Sequence, residues 1–332
     1  MEPISCIEYS LISRFFKERN DLFTLLFQDE YSIPSEILDR QTIVELQEAN
    51  LIYLDESTNN LKALVKINHT NGIFLCTDFI TQTNNRVFPF VDEGNIFIEY
   101  FSNVRKHLKS RVKISAWDMC TGSGHPLILM EQELKKISTN VNVIGTDINE
   151  RAIDYCRTNI ALNNSRTEVL LSHFDVNINN SVSFDYIWSN PPFALSPQQD
   201  SLHTYGGRYG LERTIDVIRI INKRLDKNGM AQVLTYSIGN NKTDLLVSRF
   251  LEQELSNFRY EINILSGEKI WRFDGKKRCI NPMPIEYMAL RSTDQLYNLN
   301  QVPKESWLAL STEIKQKGYS HLYFVLIDIL PL

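Results

Sequence analysis

Apolar positions change rhythm along the chain. Over the first 84 residues they recur every three or four positions in Ile7–Arg19, Leu22–Gln28 and Ile43–Leu51, which predicts short amphipathic helices. The runs IYLDESTNNLKALVKI and GIFLCTDF that follow are β-rich and separated by the turn-forming STNN and NHTNG. They predict a helical cap carrying a β-hairpin. A winged helix has the same order of elements, but few basic residues lie here to meet nucleic acid.

From Val112 the pattern becomes an alternation. VKISAWDMC, VNVIGTDI, EVLLSHFDV, FDYIWSNPP and MAQVLTYSIG are short runs rich in β-branched and aromatic residues. Helical segments are predicted over Pro126–Ile137, Glu150–Asn163, Leu211–Leu225 and Lys242–Leu255. Strand–helix alternation gives an α/β fold, doubly wound, with a mostly parallel sheet covered on both faces. RYEINIL, EYMALRS and HLYFVLIDIL are left as candidates for an antiparallel edge. The expected division is an N-terminal, mainly helical domain over 1–84, a doubly wound main domain over 85–292, and an extension over 293–332 packed on the sheet edge.

Composition narrows the class. The 332 residues are 43% hydrophobic and 23% charged, as in a folded globular protein. No apolar run is long enough to cross a bilayer, and the N-terminus does not read as a signal peptide, so a cytoplasmic protein without a membrane partner is expected. The five cysteines are scattered, with neither CxxC nor zinc spacing, and HExxH is absent; no metal is expected. A net charge of −5 disfavours general binding to nucleic acid, leaving only a local basic face, for which the loop DGKKR with Lys276, Lys277 and Arg278 is the candidate. A solvated turn explains that loop as well.

The polar residues fall where strands end, which is where open α/β sheets bind ligands. Asp118–Gly124 reads DMCTGSG: Asp118, Cys120, Thr121, Gly122, Ser123 and Gly124 form a turn between strand and helix. Gly122 and Gly124 permit positive φ and close approach of a ligand, and the helix start at Pro126 offers free N–H groups. A dinucleotide fingerprint would want glycine where Leu127 stands. An acid placed as Asp118 is can instead hold the cationic amino or sulfonium end of S-adenosylmethionine. Asp147, 29 residues further on, ends the next strand where an acid takes ribose hydroxyls. Ile148 and Asn149 would flank adenine and ribose, and Asp175 with Val176 would meet the adenine amino edge, although a capping aspartate explains Asp175 equally well.

Asn190-Pro191-Pro192-Phe193 ends the fourth predicted strand. Two prolines donate no backbone hydrogen bonds and leave carbonyls free to accept them. A planar –NH2 fits between the Asn190 side-chain oxygen and the Pro191 carbonyl, with Phe193 stacked on the acceptor.

Together these motifs resemble the class I S-adenosylmethionine-dependent methyltransferases of the NPPY/F branch, the "methyltransferase small domain" type, over about Val87–Ser237. The resemblance implies a seven-stranded Rossmann-like sheet and transfer of a methyl group to an amino or amide nitrogen of adenine, guanine or glutamine, leaving S-adenosylhomocysteine. YGGRYGLERTIDVI is similar to the segment that follows NPPY in the protein-glutamine methyltransferases of release factors, placing Tyr205, Arg208 and Tyr209 as candidates for the acceptor pocket. RVFPFVDEGNIFIEY stands where those enzymes line the cofactor pocket, implicating Phe90 and Glu93. The departures are Phe193 in place of tyrosine, a different N-terminal region and the segment after Trp307. The acceptor stays open between protein, RNA or DNA, and a small molecule with a nitrogen or oxygen acceptor. A nucleic-acid acceptor predicts a basic rim, and a small one a lid from residues 1–84 or Leu195–Tyr209. A non-catalytic S-adenosylmethionine-binding module and a nicotinamide oxidoreductase are the rival classes.

Overall fold

The computed structural model describes residues 9–79, 87, 91–174, 178, 182–199, 204–265, 272–273, 276–277, 281–287 and 302–332, with backbone alone for 9, 91–93, 272–273 and 276–277. Its centre is a sheet whose main strands are β1 (Lys113–Met119), β2 (Asn140–Asp147), β3 (Glu168–Leu171), β4 (Phe184–Ser189), β5 (Leu225–Asn241), β6 (Phe258–Ile264) and β7 (His321–Pro331). They lie in the order β6-β7-β5-β4-β1-β2-β3. The pairs from β3 through β5 are parallel, and β7 runs antiparallel to both β5 and β6. Two short strands, Asp244–Leu245 beside β5 and Met283–Pro284 beside β7, also join the sheet, and its seven main strands form the mostly parallel α/β arrangement expected from the sequence. The chain steps from β1 outward to β2 and β3, then returns to the other side of β1 to lay down β4. That reversal opens a crevice at the carboxyl ends of β1 and β4.

The helices of this unit are α1 (Val91–Leu108), α2 (His125–Leu134), α3 (Glu150–Leu162), α4 (Glu212–Arg224), α5 (Leu246–Glu254) and α6 (Lys304–Gln316). Two of them, α1 and α6, lie outside the segments that the apolar pattern predicts as helical. In α1, Phe97, Phe101, Val104 and Leu108 recur at helical spacing and are fully buried. Phe97 meets the Trp188 ring edge-on at 5.0 Å and Phe101 meets Tyr186 at 5.6 Å, so α1 is clamped across β4. Burying each ring stabilises the fold by about 1.5–3 kcal/mol. The opposite face of the sheet packs Trp117, Ile187 and Val233 against Val217, Ile218 and Ile221 of α4.

Two expectations about the ends of the chain change. The strand β7 does not lie on the sheet edge: it sits between β5 and β6, and nine of its residues pair with β5. Its residues Leu322 to Ile329 are all buried, as an interior strand covered on both faces requires. The extension after 293 thus contributes to the sheet itself. At the other end, helices Tyr9–Glu18 and Arg40–Glu48 are joined by a three-stranded sheet (Ile33–Pro34, Ile52–Asp55, Asn60–Ala63) and by a separate hairpin of Lys66–Thr70 with Ile73–Thr77. The N-terminal core includes Ala152, Tyr155 and Leu162 of α3, so it is continuous with the catalytic unit. The loop DGKKR contributes Lys276 and Lys277 to a two-stranded ribbon with Arg272–Phe273; those lysine side chains, Arg278 and most of EYMALRS lie outside the described residues.

Candidate active site

The glycine turn forms as its residue types require. Gly122 and Gly124 have φ of 55° and 87°, and Cys120, at 61°, also takes the left-handed region, which the sequence did not announce. Thr121 holds the turn from inside: its amide donates to the Thr146 carbonyl at 3.0 Å and its hydroxyl donates to Asp118 Oδ2 at 2.6 Å. A Cβ built on Gly122 meets no atom within 4 Å, so the turn presents an open side to a ligand. Gly124 is the N-cap of α2, with Pro126 in its first turn. The open backbone at Gly122, beside the positive end of the helix that starts at His125, fits the polar amino-acid end of S-adenosylmethionine.

Asp118 and Asp147 stand at the ends of neighbouring strands, paired opposite Gly145 and Leu171 respectively. Asp147 accepts the Gly122 amide at 2.8 Å and the Asn149 amide at 2.9 Å, which fixes the carboxylate beside the turn. Asn149 caps α3 by accepting from the Arg151 amide, and Ile148 is half exposed beside it. Burial pushes the Asp118 carboxyl up to about 8, with the nearby charge of Asp147 acting in the same direction, and burial raises Asp147 as well. Two carboxyls held above their usual range without a cation form a site that gains when positive charge arrives.

The end of β4 completes the crevice. Met119 and Ser189 are partners across β1 and β4, and the Ser189 hydroxyl donates to the Met119 carbonyl at 3.0 Å. Asn190 therefore begins directly beside the glycine turn. Its Oδ1 is buried, and among the described residues no group donates to it. A buried acceptor left without a donor costs about 1–3 kcal/mol, which a ligand N–H would offset. Phe193 is 9% exposed and packs against Tyr236 at 4.4 Å and Phe324 at 5.4 Å, so its ring is held rigidly.

The GGRYG segment lies against NPPF. Ala194 pairs with Tyr205, the Ala194 amide donates to the Thr204 carbonyl at 2.7 Å, and the Gly206 amide donates to the Ala194 carbonyl at 2.8 Å. Tyr205 is thereby placed beside the loop. Arg208 and Tyr209 are instead engaged by Glu313 of α6, which accepts from Arg208 Nε at 3.0 Å and from the Tyr209 hydroxyl. Arg208 also donates to the Pro197 carbonyl at 3.3 Å. Glu313 carries no local signal, since its partners are a hundred residues away. Phe90, Asp175 and Val176 lie outside the described residues, as does the side chain of Glu93, which belongs to the first turn of α1. Among the described residues no group of His, Cys, Asp and Glu is placed to hold a metal, and no helix is long and apolar enough to cross a membrane.

Residues 101–205 match the family model described as methyltransferase small domain. No curated protein matches the chain. Solved structures with a similar arrangement include a precorrin-6y C5,15-methyltransferase from Geobacter metallireducens, at 12% identity and TM-score 0.39 over 75% of this chain and 93% of that one. A 16S rRNA N2 methyltransferase of T. thermophilus aligns at 14% identity and TM-score 0.41 over 66% of this chain and 58% of its own. A tRNA m1G methyltransferase of M. jannaschii aligns at 15% identity and TM-score 0.42 over 82% and 60%. The glycine turn, Asp118, Asp147 and Asn190 all fall inside the matched span: the chain carries a methyltransferase domain, and its cofactor is S-adenosylmethionine.

Proposed function

We propose that this enzyme methylates an amino or amide nitrogen of a planar acceptor held by the NPPF loop. The observation that carries the reading is the buried Asn190 Oδ1, which has no donor among the described residues, at the strand end next to the cofactor turn. The Asn190 oxygen and the Pro191 carbonyl accept the two N–H bonds of the acceptor, and Phe193, locked by Tyr236 and Phe324, offers its ring to the flat group. Held this way, the nitrogen keeps its lone pair free for attack. Bound S-adenosylmethionine supplies the methyl group from a positive sulfonium. Asp118 and the open turn at Gly122 would hold the amino-acid end, and Asp147 the ribose. The nitrogen held by Asn190 and the Pro191 carbonyl would give up its extra proton to water, so no residue need act as a base. Orientation carries the catalysis.

Charge supports an acceptor without a phosphate backbone. Residues 1–84 hold six Lys and Arg against thirteen Asp and Glu, a net of −7. Such a segment repels a polyanion. A glutamine side chain of a protein, as in the release-factor methyltransferases that GGRYG resembles, or a small amide or amine, fits this charge. The test is incubation with methyl-labelled S-adenosylmethionine and cell extract, with Asn190→Ala as control, followed by fractionation and mass spectrometry of the labelled atom. Asn190-dependent label on nitrogen in the protein or small-molecule fraction is expected. Label in RNA or DNA, or on oxygen, contradicts the reading.

A further inference from the structure

We propose that Asn159 is a positioning residue for the cofactor turn, tying the N-terminal hairpin to the S-adenosylmethionine site through a single side-chain amide. The proposal rests on the assignment of the 118–124 turn to the cofactor. Asn159 and Asn163 stand four residues apart on one side of the α3 segment, Asn159 in its last turns and Asn163 at its C-cap. Four residues of helix rise about 6 Å, close to the roughly 6.7 Å spanned by two residues of a strand. The two amides therefore match alternate residues of the hairpin strand Ile73–Thr77. Asn159 accepts the Cys76 amide at 2.8 Å and donates to the Cys76 carbonyl at 2.9 Å. Asn163 repeats this on Phe74, accepting its amide at 3.0 Å and donating to its carbonyl at 2.7 Å. Two side chains thus substitute for a neighbouring strand on the edge that Lys66–Thr70 leaves uncovered.

The asparagines differ in their remaining N–H. That of Asn163 returns to its own helix, donating to the Asn159 carbonyl at 2.8 Å. That of Asn159 donates to the Ser123 carbonyl at 2.9 Å, inside the glycine turn. Asn159 is fully buried and Ser123 nearly so, at 6% exposure, so water does not replace the bond. The turn also rests on α3 one residue later: a Cβ on Gly124 would come within 2.6 Å of the Cys156 sulfur. A further clamp lies just beyond the hairpin, where buried Asp78 accepts from Arg151 Nε at 2.9 Å and from the Tyr155 hydroxyl at 2.8 Å. Both residues are on α3, whose N-cap Asn149 follows Asp147 by two positions. The helix is the shared support on which hairpin and cofactor turn are both seated.

Because Asn163 makes the same bonds to the hairpin and none to the turn, it separates positioning from simple stability. In the full chain, Asn159→Asp keeps an oxygen for the Cys76 amide and loses both donated bonds. Titration with S-adenosylhomocysteine is expected to show affinity reduced at least about tenfold, the scale of a lost buried hydrogen bond. Asn163→Asp is expected to lower the thermal midpoint comparably while affinity stays within about twofold. Equal affinities for wild type and both variants, or equal losses in the two variants, overturn the proposal and leave the cofactor assignment standing. A wild type that does not bind S-adenosylhomocysteine overturns the cofactor assignment itself. Should Asn159→Asp fail to fold, amide exchange of the wild type decides: binding is expected to slow exchange at Cys76, and an unchanged rate overturns the coupling.

Discussion

A Cβ placed on Gly206 would lie 2.6 Å from the Cα of Phe193 and 2.7 Å from the Pro192 carbonyl oxygen. Both contacts are to backbone, which has no rotamer with which to yield. The glycine therefore sets how closely the GGRYG segment can approach NPPF, and so where Asn190 and the Pro191 carbonyl stand. Gly206→Ala is expected to push the loop outward at a cost of about 1–3 kcal/mol in stability. Turnover should fall by about a hundredfold, the scale set by a displacement near 1 Å, with S-adenosylhomocysteine affinity held within about twofold. Affinity and turnover measured on the same preparation check this. Retained turnover would mean that the loop adapts and its exact placement is unimportant.

Asp147 has two tasks, since it braces the turn through the Gly122 amide and is assigned the ribose. Asp147→Ala should weaken S-adenosylhomocysteine binding by about 1.5–3 kcal/mol, the range for hydrogen bonds to a charged group, or roughly ten- to a hundredfold. Asp147→Asn keeps an oxygen for one amide and should lose less. Calorimetric titration of the pair distinguishes them, and unchanged affinity in Asp147→Ala removes the ribose assignment.

The Asp118 carboxyl links the site to pH. Folded and free of ligand, it stays protonated up to about 8, whereas in the unfolded chain it ionises near its ordinary 3.8. Between those values the folded state binds more protons, so this group's contribution to stability is full below 3.8 and declines as pH rises toward 8. Ligand binding has the opposite sign. A cationic ligand favours the ionised carboxylate, so binding below pH 8 releases a proton and affinity rises with pH, by at most about tenfold per unit, levelling above 8. Asp118→Asn should flatten both trends. Thermal midpoints and titrations between pH 6 and 9 check it, and a pH-independent affinity in the wild type would show that Asp118 does not face the positive charge.

The legible part of the molecule was the part governed by local chemistry. β1, β2 and β4 announce themselves because each apolar run ends on a residue that the turn chemistry needs, Asp118, Asp147 or Asn190, and the observed strands end within a residue of these. The helix α1 carries a usable signal in Phe97, Phe101, Val104 and Leu108, but Pro89 and Gly94 at its start interrupt the run and mask the periodicity. HLYFVLIDIL carried one too: a nearly unbroken apolar run marks a strand covered on both faces, and an edge strand would alternate. Glu313 gave none, because its bonds to Arg208 and Tyr209 join parts of the chain that only the fold brings together. Asn159 and Asn163 are intermediate. Two asparagines four apart in a helical segment are visible in the sequence, but that they face a strand edge, and that one reaches Ser123, follows only from the packing.

The central claim is that Asn190 acts on the acceptor and not on the cofactor. It is tested most directly by measuring S-adenosylhomocysteine affinity and methyl transfer in Asn190→Ala beside the wild type, with the acceptor fraction found by labelling. Affinity within about threefold of wild type, together with transfer reduced by at least about a hundredfold, is the expected result. Parallel loss of affinity and transfer would make Asn190 a cofactor or folding residue, and undiminished transfer would place the acceptor elsewhere in the crevice.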